Sequence, residues 1–434
     1  MRTNLIKKGD DHLRYEIREI VEIANEMVRL GVDSMIWENI GDPVAKGERL
    51  PEWMKAIVQE AVKDDRTYAY CPTKGDLEAR RFVLDYFSDA SICTEEDIIF
   101  FNGLGDAINK IFSNLSSHAR VIGPNPTYPS HATAEAMHHG GTHLTYPLML
   151  DDGGRIDLVA LEESVRTNDE IVGILVINPN NPLGVVHSRD DLEAVVAIAR
   201  EHRCFLLFDE IYQHLVFDPS KIVRLSEIIG DVPGISMKGV SKEIPWPGSR
   251  CGWIEVYNAD QDSNFRGYIN TIVISKMLEV CSTTLPQVVF PKIVTNPEFK
   301  AFMASRLDKY ARRAKTALGI FAGSPVLKPV VPDGVFYLTV VVDTENFPVA
   351  TSLPSRNDDV RAYVDKLLGD PTLRTDKRFA YELLGAEGVC VVPLSGFSSA
   401  IDGFRMTLLE NDDSLFEETC IRIRRGADAY FRPA

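Results

Sequence analysis

Between about residue 50 and residue 320, short apolar runs alternate with stretches in which apolar residues recur at helical spacing. The apolar runs predict strands at Asp97 to Phe101, Arg120 to Gly123, Ile171 to Ile177, Cys204 to Phe208, Ile235 to Val240 and Cys251 to Val256. The amphipathic stretches predict helices at Leu77 to Phe87, Asp106 to Leu115, Asp190 to His202 and Phe299 to Phe321. This alternation is typical of βαβ units, so we expect an α/β fold with a mainly parallel sheet sandwiched by helices.

The pattern changes after Pro325. Strand-like segments follow at Gly334 to Val342, Gly388 to Val392 and Gly403 to Leu409, with fewer helices between them. The polar stretch from Asp343 to Asp359 predicts an exposed loop before a helix. We therefore expect a large domain over residues 49–320 and a smaller α+β domain formed by residues 1–48 and 321–434.

The charge balance argues against some classes of partner. The chain has 47 basic and 63 acidic residues, which gives a net charge of −16. Nonspecific binding to nucleic acid or to a membrane surface depends on positive potential, so neither partner is expected. The predicted helix from Phe299 to Phe321 does carry a basic face, which is most simply a solvated surface. Its members are Arg306, Lys309, Arg312, Arg313 and Lys315.

The composition is that of an ordinary globular protein, since 45% of the 434 residues are hydrophobic and 25% are charged. No apolar run approaches the roughly 18 residues that a membrane helix needs. The segment Met1 to Lys8 lacks the apolar centre of a secretory signal, and the seven cysteines show neither CxxC nor Cys/His metal spacing. We expect a cytoplasmic protein with reduced thiols and no metal site.

Polar and glycine-rich motifs follow several predicted strands, where the ligands of open parallel sheets bind. The turn from Asn102 to Ala107 runs through Gly103 and Gly105 into a helix, so its N–H groups and the helix dipole can hold a phosphate. The turn half-matches a dinucleotide fingerprint. However, Ile108 stands at the third glycine position and no acidic residue follows about 20 positions later, which weakens the case for a nicotinamide-dependent dehydrogenase.

Two further strand ends and a proline-rich loop carry side chains that suit a flat ring compound. Tyr128 offers an aromatic face on which a ring can stack. Asn181 offers an amide donor to a phenolate oxygen. Asp209 ends an apolar strand, where a carboxylate needs a partner such as a protonated pyridine nitrogen. Tyr212 lies one helical turn further on and can donate toward a ring oxygen.

Lys242 and Arg250 frame a Pro/Gly-rich turn between two predicted strands. A lysine amine can form an imine, and a planar guanidinium can hold a phosphate. Most lysines are solvated charges, so this interpretation depends on the other motifs. Arg405 stands inside an apolar strand, where it requires a carboxylate from the protein or from a substrate. A structural salt bridge is the alternative interpretation of Arg405.

Taken in order, these motifs resemble the class I/II aminotransferases, which are fold-type I enzymes that use pyridoxal 5'-phosphate (PLP). The matching residues are Gly41, Tyr70, Gly105, Tyr128, Asn181, Asp209, Tyr212, Lys242, Arg250 and Arg405. The resemblance extends from Glu16 to Arg424. The segments Asn39 to Pro43 and Tyr70 to Gly75 look most like the alanine-aminotransferase-like branch. The resemblance implies a large PLP-binding domain and a smaller domain formed by both termini.

The resemblance also implies roles for the residues around the cofactor ring. Lys242 would hold the cofactor and then carry the proton to and from the substrate carbon. Asp209 would keep the ring nitrogen protonated, so that the ring accepts electrons. Asn181 and Tyr212 would bond the ring oxygen, and Tyr128 would stack on the ring.

On the same grounds, Arg250 would bind the cofactor phosphate together with Leu104 and Gly105 at the start of a helix. Tyr70 would reach the phosphate of the neighbouring subunit. The resemblance therefore implies an obligate homodimer with shared sites.

The substrate would be bound by Gly41, Asn181 and Arg405. Gly41 and Arg405 would bind its α-carboxylate. Two positions depart from the family pattern, because Gly239 replaces a common serine and Leu183 a common threonine. No second arginine is evident that would receive a distal carboxylate. The prediction for the substrates is therefore an L-amino acid, either alanine-like or one of a broad range, together with a 2-oxo acid.

Transamination is the predicted reaction, but three alternatives stay open. The same residues can serve a PLP-dependent lyase that acts by β-elimination or decarboxylation. A nicotinamide-dependent dehydrogenase is the second alternative, and a noncatalytic PLP-binding protein is the third. Intact Lys242 and Asp209 argue against the third, as does the lack of an appended basic DNA-binding segment.

Overall fold

The computed structural model of the protein describes residues 16–433. The helices in this part of the chain are α1 (Glu16–Arg29), α2 (Glu52–Ala61), α3 (Leu77–Phe87), α4 (Leu104–Ser113), α5 (Pro129–His139), α6 (Leu158–Thr167), α7 (Arg189–Glu201), α8 (Leu225–Ile228), α9 (Ser263–Met277), α10 (Thr284–Val294), α11 (Phe299–Phe321), α12 (Asp358–Leu368), α13 (Thr375–Glu387) and α14 (Asp413–Tyr430). The strands are β1 (Ile36–Trp37), β2 (Ile98–Phe101), β3 (Arg120–Asn125), β4 (Thr145–Met149), β5 (Arg155–Ile156), β6 (Ile171–Ile177), β7 (Phe205–Asp209), β8 (Gly234–Gly239), β9 (Gly252–Tyr257), β10 (Leu327–Pro329), β11 (Tyr337–Val342), β12 (Val389–Cys390), β13 (Val392–Pro393) and β14 (Gly403–Thr407). The prediction about Met1 to Lys8 lies outside the described residues.

Eight of the described strands form one sheet in the order β2-β9-β8-β7-β6-β3-β4-β5. The pairs β3–β4, β3–β6, β6–β7 and β7–β8 are parallel, whereas β9 runs antiparallel to both of its neighbours. The prediction of a mainly parallel sheet is confirmed. The chain order reverses between β3 and β6, and ligands of such sheets bind at this point, beyond the carboxyl ends of the strands.

The central strands are apolar on both faces because helices cover both sides of the sheet. In β6, Ile174 and Val176 belong to one hydrophobic cluster, whereas Leu175 and Ile177 belong to another. Helices α3, α7 and α10 contribute to the first cluster, and α4 and α9 contribute to the second. This two-sided burial explains why the strand reads as a continuous apolar run rather than as an alternating pattern.

A second sheet is antiparallel and has the order β10-β11-β14-β13, while β1 and β12 form a separate parallel pair. Helices α12, α13 and α14 belong to the same part of the chain, and α12 is the helix expected after the polar stretch that ends at Asp359. The helices α13 and α14 are not among the predicted elements. The two-domain division, with boundaries after residues 48 and 320, stays a prediction.

The predicted elements agree best where the apolar pattern is uninterrupted. Leu77–Phe87, Ile171–Ile177 and Phe299–Phe321 match the structure at both ends. The helix α4 begins at Leu104, two residues before the predicted start, because Gly103 provides its N-cap. Between about residue 50 and residue 320, the prediction misses the strands β4 and β5 and the helices α2, α5, α6, α8, α9 and α10. No helix of the described chain has the length and apolar character that crossing a membrane requires.

The expectation of a solvated basic face on α11 is wrong for two of its five members. Arg306 and Arg313 are buried, with 4% and 3% of their surface exposed, whereas Arg312 and Lys315 are exposed as predicted. Arg306 forms an ion pair with Glu48, and the Nη2 atom of Arg313 lies 2.7 Å from Asp413 Oδ1. The helix thus carries buried charges because acidic residues from both ends of the chain pair with them.

Candidate active site

A cavity of about 500 Å³ lies beyond the carboxyl ends of β6, β7 and β8. It brings together ten of the eleven predicted site residues, namely Gly41, Leu104, Gly105, Tyr128, Asn181, Asp209, Tyr212, Lys242, Arg250 and Arg405. A larger cleft of about 780 Å³ lies at the opposite edge of the sheet, around the amino end of β7. The predicted chemical groups therefore converge on the smaller cavity, at the edge where ligands of parallel sheets bind.

Lys242 lies in the irregular segment that connects β8 to β9. Its Nζ atom donates a hydrogen bond to the carbonyl oxygen of Gly41 at 2.7 Å and lies 5.8 Å from the centre of the Phe336 ring. The amine is therefore held inside the cavity rather than exposed on the surface.

Asp209 is the last residue of β7, and only 4% of its surface is exposed. Its Oδ2 atom lies 2.9 Å from Nε2 of His131, and its Oδ1 atom accepts a hydrogen bond from the Ile211 backbone N–H at 3.2 Å. His131 is not among the residues predicted from the sequence. Its signal is the spacing of three residues after Tyr128, but this spacing has meaning only once α5 is known to be a helix.

An anion-binding corner forms where β2 turns into α4. Gly103 has a φ of +82°, and the first turn of α4 leaves N–H groups without intrahelical acceptors. Arg250, with a φ of +52°, donates through Nη2 to the carbonyl oxygen of Asn102 at 3.3 Å. A Cβ atom on Gly103 would lie 2.5 Å from that Nη2 atom, so only glycine lets the guanidinium approach the turn. The free N–H groups and the cation suit a phosphate.

Arg405 is buried in β14, with 2% of its surface exposed. Its guanidinium lies 4.4 Å from the centre of the Tyr337 ring and 4.9 Å from that of Phe397. It donates to Asn181 Oδ1 at 3.3 Å and to the carbonyl oxygen of Asn39. The two rings and the two oxygens fix the orientation of the guanidinium at the cavity, where it can receive a carboxylate.

Two tyrosines meet on the wall of the cavity. The hydroxyls of Tyr212 and Tyr337 lie 3.2 Å apart. Burial, together with the Tyr337 hydroxyl, raises the pKa of Tyr212 well above its ordinary value, so the phenol stays protonated and can donate a hydrogen bond. The sequence analysis misses Tyr337, which reads as one more residue of an apolar strand.

The helix α1 contributes Ile17, Arg18 and Val21 to the cavity wall. Arg18 is exposed, and no ion pair joins it to another described residue. Arg18 is an arginine of the cavity wall that is not among the predicted site residues. Nothing in the local sequence distinguishes it from a surface charge of an amphipathic helix.

Tyr70 is the predicted site residue that does not line the cavity. Its side chain is 82% exposed, next to a segment that Thr284 holds by donating to the carbonyl oxygen of Ala69 at 2.8 Å. Its position does not suit a role in the cavity of its own chain. The predicted role in the neighbouring subunit remains a prediction.

The cavity thus offers an amine, a buried carboxylate backed by an imidazole, an anion-binding corner and a buried arginine. These groups fit a phosphorylated pyridine compound that carries an aldehyde, because each polar part of such a compound has a partner among them. The buried Asp209 suits a protonated ring nitrogen, and the corner at Gly103 suits the phosphate.

Comparisons with known proteins show the family of the chain. The family model described as aminotransferase class I and II matches residues 35–423. An uncharacterized aminotransferase of Methanocaldococcus jannaschii is 44% identical over 96% of each chain. The tyrosine aminotransferase of Homo sapiens is 29% identical over 92% of this chain and 82% of its own. The structure of an alanine aminotransferase from Pyrococcus furiosus has a TM-score of 0.81, with 24% identity over 97% of this chain and 99% of that one.

Replacing Gly41 with alanine tests how tightly the cavity wall is packed. The new Cβ atom would lie 2.0 Å from the Tyr337 hydroxyl, so one of the two segments must move. We expect the free energy of unfolding to fall by about 1–3 kcal/mol, as for other overpacked sites. Urea unfolding measures this change. The control is Gly319→Ala on α11, where a Cβ atom meets nothing within 4 Å and stability should not fall. Equal stability of Gly41→Ala and wild type would contradict the expectation.

Proposed function

Since the chain belongs to the class I and II aminotransferase family, we propose that the cavity around Lys242 is its PLP site. The protein is a PLP-dependent aminotransferase, an enzyme that moves an amino group from an amino acid to a 2-oxo acid. When bound, the cofactor withdraws electrons from the α-carbon of the substrate. The observation that carries the proposal is that one cavity joins the Lys242 amine, the Asp209 carboxylate and the guanidinium groups of Arg250 and Arg405.

Lys242 is the cofactor anchor and the group that moves the proton at the α-carbon of the substrate. The hydrogen bond from its Nζ to the Gly41 oxygen supports this role, because it fixes the amine at the end of the cavity where the substrate carboxylate binds. A positioned amine acts as a general base or acid when it lies within hydrogen-bond reach of the proton.

Side chains of this chain would hold the ring of the cofactor. Asp209 pairs with the ring nitrogen, and His131 orients the carboxylate. Asn181 and the protonated Tyr212 donate to the ring oxygen, and Tyr128 covers the face of the ring.

The two ends of the cavity bind two anions. Arg250 binds the cofactor phosphate together with the N–H groups of Leu104 and Gly105. Arg405 and the Gly41 backbone bind the α-carboxylate of the substrate, and Asn181, which contacts Arg405, lies between the two anions. The family favours this amino transfer over the lyase and dehydrogenase alternatives.

One substrate of the pair is a dicarboxylate such as glutamate or 2-oxoglutarate. Arg18 supports this proposal, because it places a further cation on the cavity wall, and no ion pair joins it to another described residue. Ile17, Val21 and Ile40 line the same wall, and their apolar surfaces suit an uncharged substrate side chain as the other member of the pair. An alanine-like or broader amino acid fits this second role.

The functional unit is an obligate homodimer. Large apolar side chains are exposed in two segments, 68–70 and 274–280, and they include Leu278 at 89%. The segments are neighbours, since Thr284 bonds to Ala69 and the Cys71 thiol donates to the carbonyl oxygen of Ser282 at 3.5 Å. A contiguous apolar patch of this kind marks an interface, and a second copy seated on it would receive Tyr70.

We also propose a cytoplasmic location and retain the division into a large domain over residues 49–320 and a small domain from the rest. All seven cysteines are free thiols, as expected in a reducing compartment. The two separate sheets support the division. Cell fractionation checks the location, and limited proteolysis between the two sheets checks the division.

Lys242→Ala should abolish both cofactor retention and turnover. We expect wild type that has been loaded with PLP to keep a visible absorption band after gel filtration, and to release a 2-oxo acid from a reactive amino acid. The variant should lose the retained band and at least about 1,000-fold in kcat, because anchor and proton carrier are removed together. Lys315→Ala, an exposed lysine on α11, is the control. An unchanged absorption band in Lys242→Ala would refute the role of Lys242 as the cofactor anchor.

Arg18→Gln should weaken the use of the dicarboxylate substrate and leave the use of a monocarboxylate nearly unchanged. Loss of one charge-assisted hydrogen bond should lower kcat/KM for 2-oxoglutarate by about 10–100-fold, while kcat/KM for pyruvate changes less than about 3-fold. Steady-state kinetics with both acceptors measures the split. Arg29→Gln, at the end of the same helix and paired with Glu26, is the matched control. Equal losses for both acceptors would count against the assignment of Arg18.

Mixing two inactive variants tests the shared site. Lys242→Ala and Tyr70→Ala homodimers should each be impaired, whereas a hybrid has one complete site. After equimolar subunit exchange, about a quarter of all sites are complete, so about a quarter of the wild-type activity should return. Activity that never exceeds the average of the two separate variants, or a monomeric mass in solution, would argue against this arrangement.

A further inference from the structure

Arg306 does not line the cavity, but it contacts the backbone that carries Lys242. It lies on α11, and 4% of its surface is exposed. Its Nη2 atom donates to the carbonyl oxygen of Lys242 at 3.0 Å, and its Nη1 atom donates to that of Glu243 at 2.6 Å. These two carbonyls belong to the irregular segment between β8 and β9, where no sheet ladder supplies donors. A buried carbonyl without a donor is costly, so the guanidinium supports this segment.

The third contact of Arg306 is with a different part of the chain. Its Nε forms an ion pair with Glu48, which also accepts from the Tyr310 hydroxyl at 2.8 Å and lies 3.3 Å from Lys309 Nζ. Burial alone would raise the pKa of Glu48, but the charges of Arg306 and Lys309 outweigh it and hold the pKa below its ordinary value. Glu48 is therefore ionised, and three side chains of α11 contact its carboxylate.

Glu48 ends a compact turn that begins at Gly41. The side chain of Asp42 accepts from the N–H groups of Val44 and Ala45 at 2.9 and 3.2 Å, and the Glu48 N–H donates to the Pro43 carbonyl at 2.9 Å. Because these bonds make the turn rigid, a group that holds Glu48 also holds Gly41. Gly41 in turn accepts the hydrogen bond from Lys242 Nζ.

These contacts close a ring that runs from the Lys242 backbone through Arg306, Glu48 and the turn to Gly41, and back to the Lys242 amine. We propose that Arg306 is a positioning residue that sets where the Lys242 amine lies relative to Gly41. The inference rests on the proposed role of Lys242 as the cofactor anchor. A displacement of about 1 Å at a reacting group can cost about 100-fold in rate, so such a residue acts on catalysis without touching the substrate.

Only an arginine can make these three contacts at once. Its two Nη atoms donate to successive carbonyls while Nε lies at ion-pair distance from the carboxylate, whereas a lysine has a single nitrogen on a flexible stem. Arg306→Lys therefore keeps the charge and loses the geometry. Arg312 is the matched control, because it lies on the same helix, is exposed and pairs with Asp308 of its own helix at 2.6 Å.

The experiment uses the full-length protein loaded with PLP and compares Arg306→Lys, Arg306→Gln and Arg312→Lys with wild type. The readouts are the pH midpoint of the visible absorption band, kcat, KM and the melting temperature. We expect both Arg306 variants to shift the midpoint by about 0.5 pH unit or more and to lose about 10-fold or more in kcat, with KM changed less than about 3-fold. Arg312→Lys should change none of these.

A purely structural role predicts a different result. If Arg306→Lys lowers the melting temperature but keeps the wild-type midpoint and kcat, Arg306 only stabilises the fold and the inference is wrong. If Arg306→Gln does not fold, Arg306→Lys decides alone, and Glu48→Gln, which removes the link to the turn, should shift the midpoint in the same direction. A wild-type band that persists in Lys242→Ala would instead refute the proposed anchor, so the two failures are distinguishable.

Discussion

The hydrogen bond between Lys242 Nζ and the Gly41 carbonyl joins two residues that are 201 positions apart, and the rest of the site depends on it. Lys242 follows a strand of the central sheet, whereas Gly41 belongs to the segment after β1. Gly41 has no side chain because the Tyr337 hydroxyl occupies that space, and the same hydroxyl contacts Tyr212. Gly41 thus contacts the Lys242 amine through its carbonyl oxygen and leaves room at its Cα atom for the Tyr337 phenol.

The second constraint is that each buried charge of the site needs a partner. Asp209 contacts His131, and Arg306 pairs with Glu48 and donates to two carbonyls. The Arg405 guanidinium donates to Asn181 and packs against two aromatic rings. Withdrawing these groups from water is costly, and each network of hydrogen bonds offsets that cost only in one arrangement. The same contacts therefore account for both the stability of the site and its geometry. A site whose charges are satisfied in a single arrangement is also preorganised for its ligand.

The sequence carries the fold class and most of the site, because these depend on local patterns. Asn181, Asp209 and Lys242 follow apolar runs, and the carboxyl ends of parallel strands meet at one edge. His131, Tyr337 and Arg18 depend on contacts between distant segments, which no local pattern records. The basic face of α11 is an example of what local patterns leave out. Helical spacing puts Arg306 and Arg313 on a common face, but it does not indicate that Glu48 and Asp413 form ion pairs with them.

The two arginines proposed to bind the anions come from different sheets. Arg250 lies between β8 and β9 of the central sheet, whereas Arg405 lies in β14 of the second sheet. Under the proposed function, a substrate that Arg405 holds beside the cofactor would therefore bridge the two sheets. The strength of that bridge depends on how the sheets are placed, and the contacts between α11 and Glu48 help to fix this placement. Substitutions far from the substrate can consequently change its affinity, so substrate preference is a property of the assembled chain as well as of the cavity wall.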